Sequence, residues 1–282
     1  MALCACLVPI IWGIASCAPE NAIENSEISS EYRIAALSPS VGLLLQQLGL
    51  EEHIVGRHGF DTFLDESIPV VGDQAGIDYE RLAGVRPTHV LMEWGSRDLP
   101  ERLTRLSSRH GWVVRDFQLL ELDDLWTSLE MFAVLFDAQQ QAALLHDELI
   151  EALEPLESVP EGVSVLPMYW TSPLGAAGPD SFHAQMLTRL GLRLALDSGP
   201  SYIEMESEDL ARLDPTIIVL FAPRVDEGFI EDSRSTLGSL GLEAISTDRF
   251  IVVDDHTCLS LSAQIAQICA DIKRRVSTMS FD

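Results

Sequence analysis

The chain has 282 residues, 18 Lys and Arg against 44 Asp and Glu, and a formal net charge of −26. At 47% hydrophobic and 22% charged it is globular, and long enough for one large domain or two lobes that each bury a core. The acid excess, with Lys273 as the only lysine, excludes a phosphate-neutralising nucleic-acid surface and electrostatic docking on anionic lipid. It leaves two readings, a solvated surface or one that meets a cationic partner.

Residues 1–16, MALCACLVPIIWGIAS, are apolar, uncharged and too short to span a bilayer comfortably, and polar sequence follows. That is the pattern of a signal-peptide core. Ile14-Ala15-Ser16-Cys17 resembles the bacterial lipobox, an aliphatic residue and two small ones before a Cys. The resemblance implies a lipoprotein signal over residues 1–17, with Cys17 the lipidated first residue of the mature chain. An ordinary cleaved signal or a short membrane anchor are the alternatives. Residues 18–32, rich in Glu, Asn and Ser, read as a flexible tether. With Cys4 and Cys6 removed and Cys17 lipidated, Cys258 and Cys269 remain. They suit a disulfide in an oxidising compartment or two buried thiols, the latter favoured by the helical pattern IAQICADI around Cys269. Their spacing is not the CxxC of zinc or redox sites.

Residues 33–37 read as an apolar strand, Ser38-Pro39-Ser40 as punctuation with Ser40 as N-cap, and VGLLLQQLGL as a helix. Next comes a helix–Pro–strand unit, ERLAGVRPT from Glu80 to Thr88 followed by HVLM. Residues 122–153 are dense in helix formers, with Asp137 expected to cap a second helix of about four turns and Pro155 and Pro160 to stop it. Residues 163–169 read as a strand, 178–181 as a turn and FHAQMLTRLGL as a helix. A second helix–Pro–strand unit, EDLARLDPT from Glu208 to Thr216 followed by IIVLF, lies 128 residues after the first. Both units end in a continuous apolar run, as in strands buried on both faces of a parallel sheet. The shared register and the repeated Leu-Gly-Leu helix ends indicate a duplicated α/β architecture.

These features, in this order, resemble the substrate-binding proteins of bacterial ABC importers, in the class that carries cobalamin, haem and ferric siderophores. The carrying segments are RIAALSPSVGLLLQQLGLEEHIVGR (33–57), PVVGDQAGIDYERLAGVRPTHVL (69–91), GPDSFHAQMLTRLG (178–191) and the unit at 208–220. The resemblance covers about residues 33–276. It implies two Rossmann-like α/β lobes with mostly parallel sheets, joined by one long helix, holding ligand between them with little closure. The lobes would span 33–122 and 160–282, with connecting helices over 123–155. It further implies a monomer at the cell envelope that delivers a corrinoid or iron chelate to an importer's permease and ATPase. The cargo is transported, with no permanent cofactor. One surface Glu on each lobe pairs with permease arginines in that family, seven residues before the Pro of the helix–Pro–strand unit. Here those positions are Glu80 and Glu208.

Open α/β sheets place ligands at the carboxyl ends of their strands. The candidates there are Pro39, Ser40, Gly72, Asp73, Gln74, Trp94, Tyr169, Trp170, Tyr202, Arg224, Asp255 and His256. Tyr202 stands where cobalamin-binding relatives carry an aromatic, and Trp94 lies one residue from another such position. Flat aromatics suit a corrin, haem or catecholate face. Arg97 and Arg224 are candidates to meet an anionic chelate. Cys269 matches one disulfide cysteine of the cobalamin-binding relatives, but Leu190 stands at the partner position. The turn after Gly72 lacks the aromatic that some of them carry there. Two alternatives stand beside this reading. One is a related receptor for haem or for bare Zn or Mn; the bare ions need three or four converging ligands, whereas the seven histidines are scattered. A non-transport α/β enzyme needs a nucleophile elbow or phosphate loop, and the sequence has no GxSxG, GxGxxG or Walker motif.

Overall fold

The computed structural model describes residues 32–95 and 98–281. The expected signal with Cys17, nearly all of the tether, and Arg97 lie outside the described residues. The first sheet contains β1 (Ile34–Leu37), β2 (Ile54–His58), β3 (Val70–Asp73), β4 (Gly76–Ile77), β5 (His89–Met92) and β6 (Val113–Asp116). Its order is β4-β3-β2-β1-β5-β6, parallel except for the β3–β4 pair. Helices α1 (Pro39–Gln47), α2 (Tyr79–Gly84) and α3 (Glu101–His110) belong to this lobe. Two further helices, α4 (Leu122–Phe136) and α5 (Gln139–Ala152), lead to the second lobe.

The second sheet contains β7 (Ser164–Thr171), β8 (Leu174–Ala177), β9 (Arg193–Leu194), β10 (Tyr202–Glu204), β11 (Ile217–Phe221) and β12 (Phe250–Val253). Its order is β10-β8-β7-β11-β12, with β9 beside the start of β7. The helices here are α6 (Phe182–Arg189), α7 (Ser207–Leu213), α8 (Glu227–Gly238), α9 (Glu243–Ser246) and α10 (Ile265–Ser277). The strands IAAL, IIVLF and FIVV are buried at every position, because layers cover both sheet faces.

The two helix–Pro–strand units occupy equivalent places. The first becomes α2 and β5, with β5 beside the lobe's first strand β1; the second becomes α7 and β11, with β11 beside β7. In each, the residue before the Pro takes a left-handed conformation, Arg86 at φ 47° and Asp214 at φ 39°. A residue preceding Pro is pushed out of the right-handed helical region, so both helices stop at the same step.

Two capping expectations change. Ser38, not Ser40, is the N-cap of α1; its Oγ accepts from Val41 N, and Pro39 takes the first helical position, where its missing N–H costs nothing. Asp137 does not start α5. It ends α4 in the left-handed region at φ 54°, with its carboxylate accepting from the Tyr32 hydroxyl at 3.0 Å, and Ala138 leads into α5. The long helical connection is therefore two helices, α4 and α5, broken at that residue. Cys258 and Cys269 are buried free thiols, and burial pushes both up to about 12, so they are neutral.

One apolar cluster runs through both lobes. It joins Ile34, Leu44 and Leu91 to Phe132 and Phe136 of α4, Met186 of α6 and Ile272 of α10. Polar ties add to it: Gln47 Oε1 accepts from Ala263 N at 3.0 Å, and Gln185 Oε1 from Leu122 N at 2.9 Å. Among the described residues no helix is long and apolar enough to cross a membrane.

Candidate functional site

The parallel strands of each lobe send their loops off one edge, and the two edges face each other. Phe63, after β2, meets the ring of His256, after β12, with centroids 5.5 Å apart. On another flank Phe182 N, at the start of α6, donates to the carbonyl of Leu120, after β6. Large exposed apolar side chains collect along this edge. Phe60 (59% exposed), Leu99, Leu120, Trp170 (46%), Tyr202 (45%) and Leu259 belong to loops or strands that reach it. The others among the described residues, Val134, Leu144 and Ile150, lie on the α4–α5 connection. Exposed apolar surface gathered in one place marks a binding surface more than scattered exposure does.

Tyr169, Trp170 and Tyr202 form an aromatic ledge on the second lobe. Met168 pairs with Ala176 and Trp170 with Gly175, so β7 carries one extra residue here. That bulge breaks the strand's alternation, so Tyr169 meets Tyr202 while the adjacent Trp170 and Tyr202 both lie beside Gly175. Tyr169 and Tyr202 stack at 6.3 Å and 23°. A Cβ on Gly175 would lie 2.9 Å from Tyr202 Cε2 and 3.0 Å from Trp170 Cδ1, so the missing side chain makes room for both rings.

Beneath the ledge is a polar anchor. His183 is buried, with Nε2 2.7 Å from the Cys258 carbonyl and Nδ1 3.0 Å from the Tyr169 hydroxyl. A carbonyl only accepts, which assigns the proton to Nε2 and leaves Nδ1 to accept from the phenol. Burial lowers His183 to about 4 and pushes Tyr169 up to about 12, so both partners are neutral.

The facing lobe contributes a carboxyl that sequence reasoning passed over. Ser38 Oγ donates to Glu93 Oε2 at 2.6 Å, joining the ends of β1 and β5. Burial raises the Glu93 pKa, opposed by the Ser38 hydrogen bond and reinforced by Asp116 and Asp124. Trp94 N donates to Asp116 Oδ1 at 2.6 Å, which ties the loop after β5 to the end of β6. Pro39 and Ser40 lie half-buried in the first turn of α1. Gly72 and Asp73 line a cavity of about 280 Å³ with Ile77, Asp78 and Arg81, and Gln74 is exposed at the same turn.

Arg224 is exposed and left-handed at φ 57°. Asp255 Oδ1 accepts from Thr257 N and its hydroxyl, so this carboxylate shapes its own turn, with His256 Nδ1 3.8 Å away. The structure thus gathers Tyr169, Trp170 and Tyr202, and sets His256 against Phe63. Among the described residues no hydrogen bond or ring contact joins Pro39, Ser40, Gly72, Asp73 or Gln74 to the candidates of the second lobe. Sequence reasoning missed Glu93, Phe63, Gly175 and the anchoring role of His183. Only for His183 was there a local signal, a His among the apolar positions of FHAQMLTRLGL. Among the described residues no three His, Cys, Asp or Glu side chains are grouped to hold a metal ion.

Glu80 and Glu208 are both exposed, and each is the second residue of its helix, α2 and α7. Asp78 caps α2 by accepting from Glu80 N and Arg81 N. A carboxylate in the first turn also suits the helix dipole, so the position alone does not assign a role.

The sequence matches the family described as periplasmic binding protein over residues 34–257. A comparison with curated proteins finds no match. Similar solved structures include the periplasmic heme binding protein HutB of Vibrio cholerae, at 19% identity and a TM-score of 0.72, covering 87% of this chain and 98% of that one. The periplasmic vitamin B12 binding protein BtuF of the same organism gives 14% and 0.67, with 87% and 96% covered. A possible iron-binding periplasmic solute-binding protein of Staphylococcus epidermidis gives 20% and 0.69, with 87% and 98% covered. At such identities the structural likeness establishes the shared two-lobed fold, and the family match spans most of the described chain. The chain belongs to the periplasmic binding protein family.

Proposed function

We propose that this chain is the substrate-binding lipoprotein of an ABC importer. It captures a metal chelate, a corrinoid or ferric siderophore, between its lobes and hands it to the permease. The observation that carries this reading is the aromatic ledge of Tyr169, Trp170 and Tyr202 on an edge where other exposed apolar side chains also collect. Rings that are rigid and half-exposed present a flat apolar surface to a flat or greasy ligand at low entropic cost. Names of similar structures, for heme, vitamin B12 and iron, agree with that chemistry. The core shared by both lobes supports capture with little closure.

In this reading Glu80 and Glu208 meet cationic groups of the permease and set orientation through two separated ion pairs. Cys17 carries the lipid that holds the receptor, as a monomer, at the cell envelope. The function is reversible binding and docking, without catalysis.

The test is the visible absorption spectrum of the protein purified from its native host, followed by titration with cyanocobalamin, a ferric hydroxamate and haemin. A corrinoid or ferric-siderophore spectrum, or cyanocobalamin or the ferric hydroxamate bound at micromolar affinity or tighter, supports the proposal; haemin bound alone favours the haem-receptor alternative. A colourless protein that takes up none of them refutes it.

A further inference from the structure

The strand-end loops that frame the proposed cleft are strongly one-signed. Asp73, Glu93, Asp116, Asp226, Asp254 and Asp255 stand at the ends of β3, β5, β6, β11 and β12. Among the described residues of the loops after β1, β2, β3, β5, β6, β7, β11 and β12, Arg224 is the only Lys or Arg. Arg97 lies outside the described residues.

These acids are fixed in place. Asp226 caps α8 through Phe229 N, Asp254 accepts from Val225 N and Asp116 accepts from Trp94 N. Glu93 is held by Ser38 through Oε2, and among the described residues its Oε1 takes no protein hydrogen bond. An acceptor so placed suits a ligand that presents N–H donors. A cleft lined by one sign of charge focuses its field on whatever enters, and no row of cations offsets it here.

Resting on the chelate-receptor reading above, we infer that the ligand is an uncharged or cationic chelate bearing N–H donors, and that anionic chelates are selected against. The class includes amide-fringed corrinoids and cationic ferric hydroxamates. It excludes ferric tris-catecholates, with three negative charges, and haem with two ionised propionates. Arg224 then serves a local contact and does not neutralise a polyanion.

The experiment measures affinity of the mature protein for cyanocobalamin, ferrioxamine B, haemin and a ferric tris-catecholate, by calorimetry or tryptophan quenching, at low salt and at about 0.5 M salt. At low salt a neutral or cationic probe is expected to bind at least about tenfold more tightly than either anion. Salt is expected to weaken the repulsion and so improve anion binding. The double variant Asp73→Asn, Glu93→Gln keeps the hydrogen bonds to Ala75 N and Ser38 and removes two charges. It is expected to gain about threefold or more for the anions. An anionic probe that binds tightest, or anion affinities that neither salt nor the double variant improves, overturns the charge inference and leaves the chelate-receptor reading standing. Failure of all four probes to bind overturns both.

Discussion

The Tyr169 hydroxyl lies 3.0 Å from Nδ1 of His183, a contact in which the imidazole must be neutral to accept. The neutral ring has a measurable cost in acid. His183 ionises at about 4 in the folded protein, against 6.5 for an unburied histidine. As pH falls from 6.5 towards 4, the unfolded chain takes up a proton that the folded chain refuses. Stability is therefore lost across that window, by about 3 kcal/mol in total, and the site has no effect above pH 7. The raised carboxyls of Glu93 and Asp61 act with the opposite sign, since their folded forms hold protons more firmly. They are common to wild type and to His183→Gln, so they cancel in the comparison. Urea unfolding of both proteins from pH 7 to pH 4 is expected to show the wild type losing about 3 kcal/mol more than the variant. A difference that stays constant with pH would rule out a buried neutral His183.

The expectations that held are those written in contiguous residues. HVLM and IIVLF are strands because each is an unbroken apolar run after a Pro, and the repeat that contains them places β5 and β11 equivalently. The cap of α1 did not hold: Ser40 was expected, but Pro39 takes the first helical position and so makes Ser38 the cap. Asp137 was ambiguous in principle. Asp favours helix starts, but it also tolerates the left-handed turn that ends α4. The site was less legible because its defining contacts join distant parts of the chain. Ser38 reaches Glu93 across 55 residues and His183 reaches Cys258 across 75. The ledge residues were each named from the sequence. Their convergence depends on a one-residue bulge in β7 and on the small size of Gly175, neither of which has a periodic signature.

Arg57 is nearly buried, and its guanidinium binds backbone instead of a carboxylate. Nε donates to Ile68 O at 3.1 Å, Nη1 to Asp61 O at 3.0 Å and His58 O at 3.3 Å, and Nη2 to Glu66 O at 3.4 Å. It thereby shapes the loop that carries Phe63 to His256. Arg57→Ala is expected to cost about 3 kcal/mol and to release the loop, because several carbonyls lose a charged donor at once. Arg57→Lys should fall between, since an ammonium lacks the planar fork. Hydrogen exchange at Phe63 N and Leu64 N, both bonded to Asp61 Oδ1, reports the effect. Unchanged protection in Arg57→Ala would show that the loop holds itself.

Gly175 and Gly178 separate ligand affinity from folding. A Cβ at Gly178 would meet Pro200 O at 1.9 Å, a backbone atom with little freedom, so Gly178→Ala is expected to destabilise by about 2–3 kcal/mol. At Gly175 the clash is with the half-exposed rings of Tyr202 and Trp170, which can swing aside. Gly175→Ala should therefore change stability by less than about 1 kcal/mol while weakening ligand binding about tenfold, a loss of about 1.4 kcal/mol. Thermal unfolding and calorimetric titration of both variants give the answer. Unchanged ligand affinity in Gly175→Ala would remove the ledge from the binding site.

The proposed role of Glu80 and Glu208 leaves no trace in the isolated protein. Each is exposed on the second residue of a short helix, so replacing either by Ala removes at most a helix-dipole interaction of about 0.3–1 kcal/mol. Ligand affinity is expected to be unchanged, since neither residue belongs to the strand-end loops. Uptake by cells that carry the double variant Glu80→Ala, Glu208→Ala is expected to fall at least tenfold, because two separated ion pairs set both attraction and orientation. Each single variant should retain part of the activity through the pair left intact. Reversal to Arg at both positions should be more severe than Ala, since it sets like charges against each other. Wild-type uptake by the double Ala variant, with normal protein levels, would remove both residues from the docking surface and leave the other exposed acids as candidates. Reduced uptake together with weakened ligand binding would place the fault in capture instead of docking.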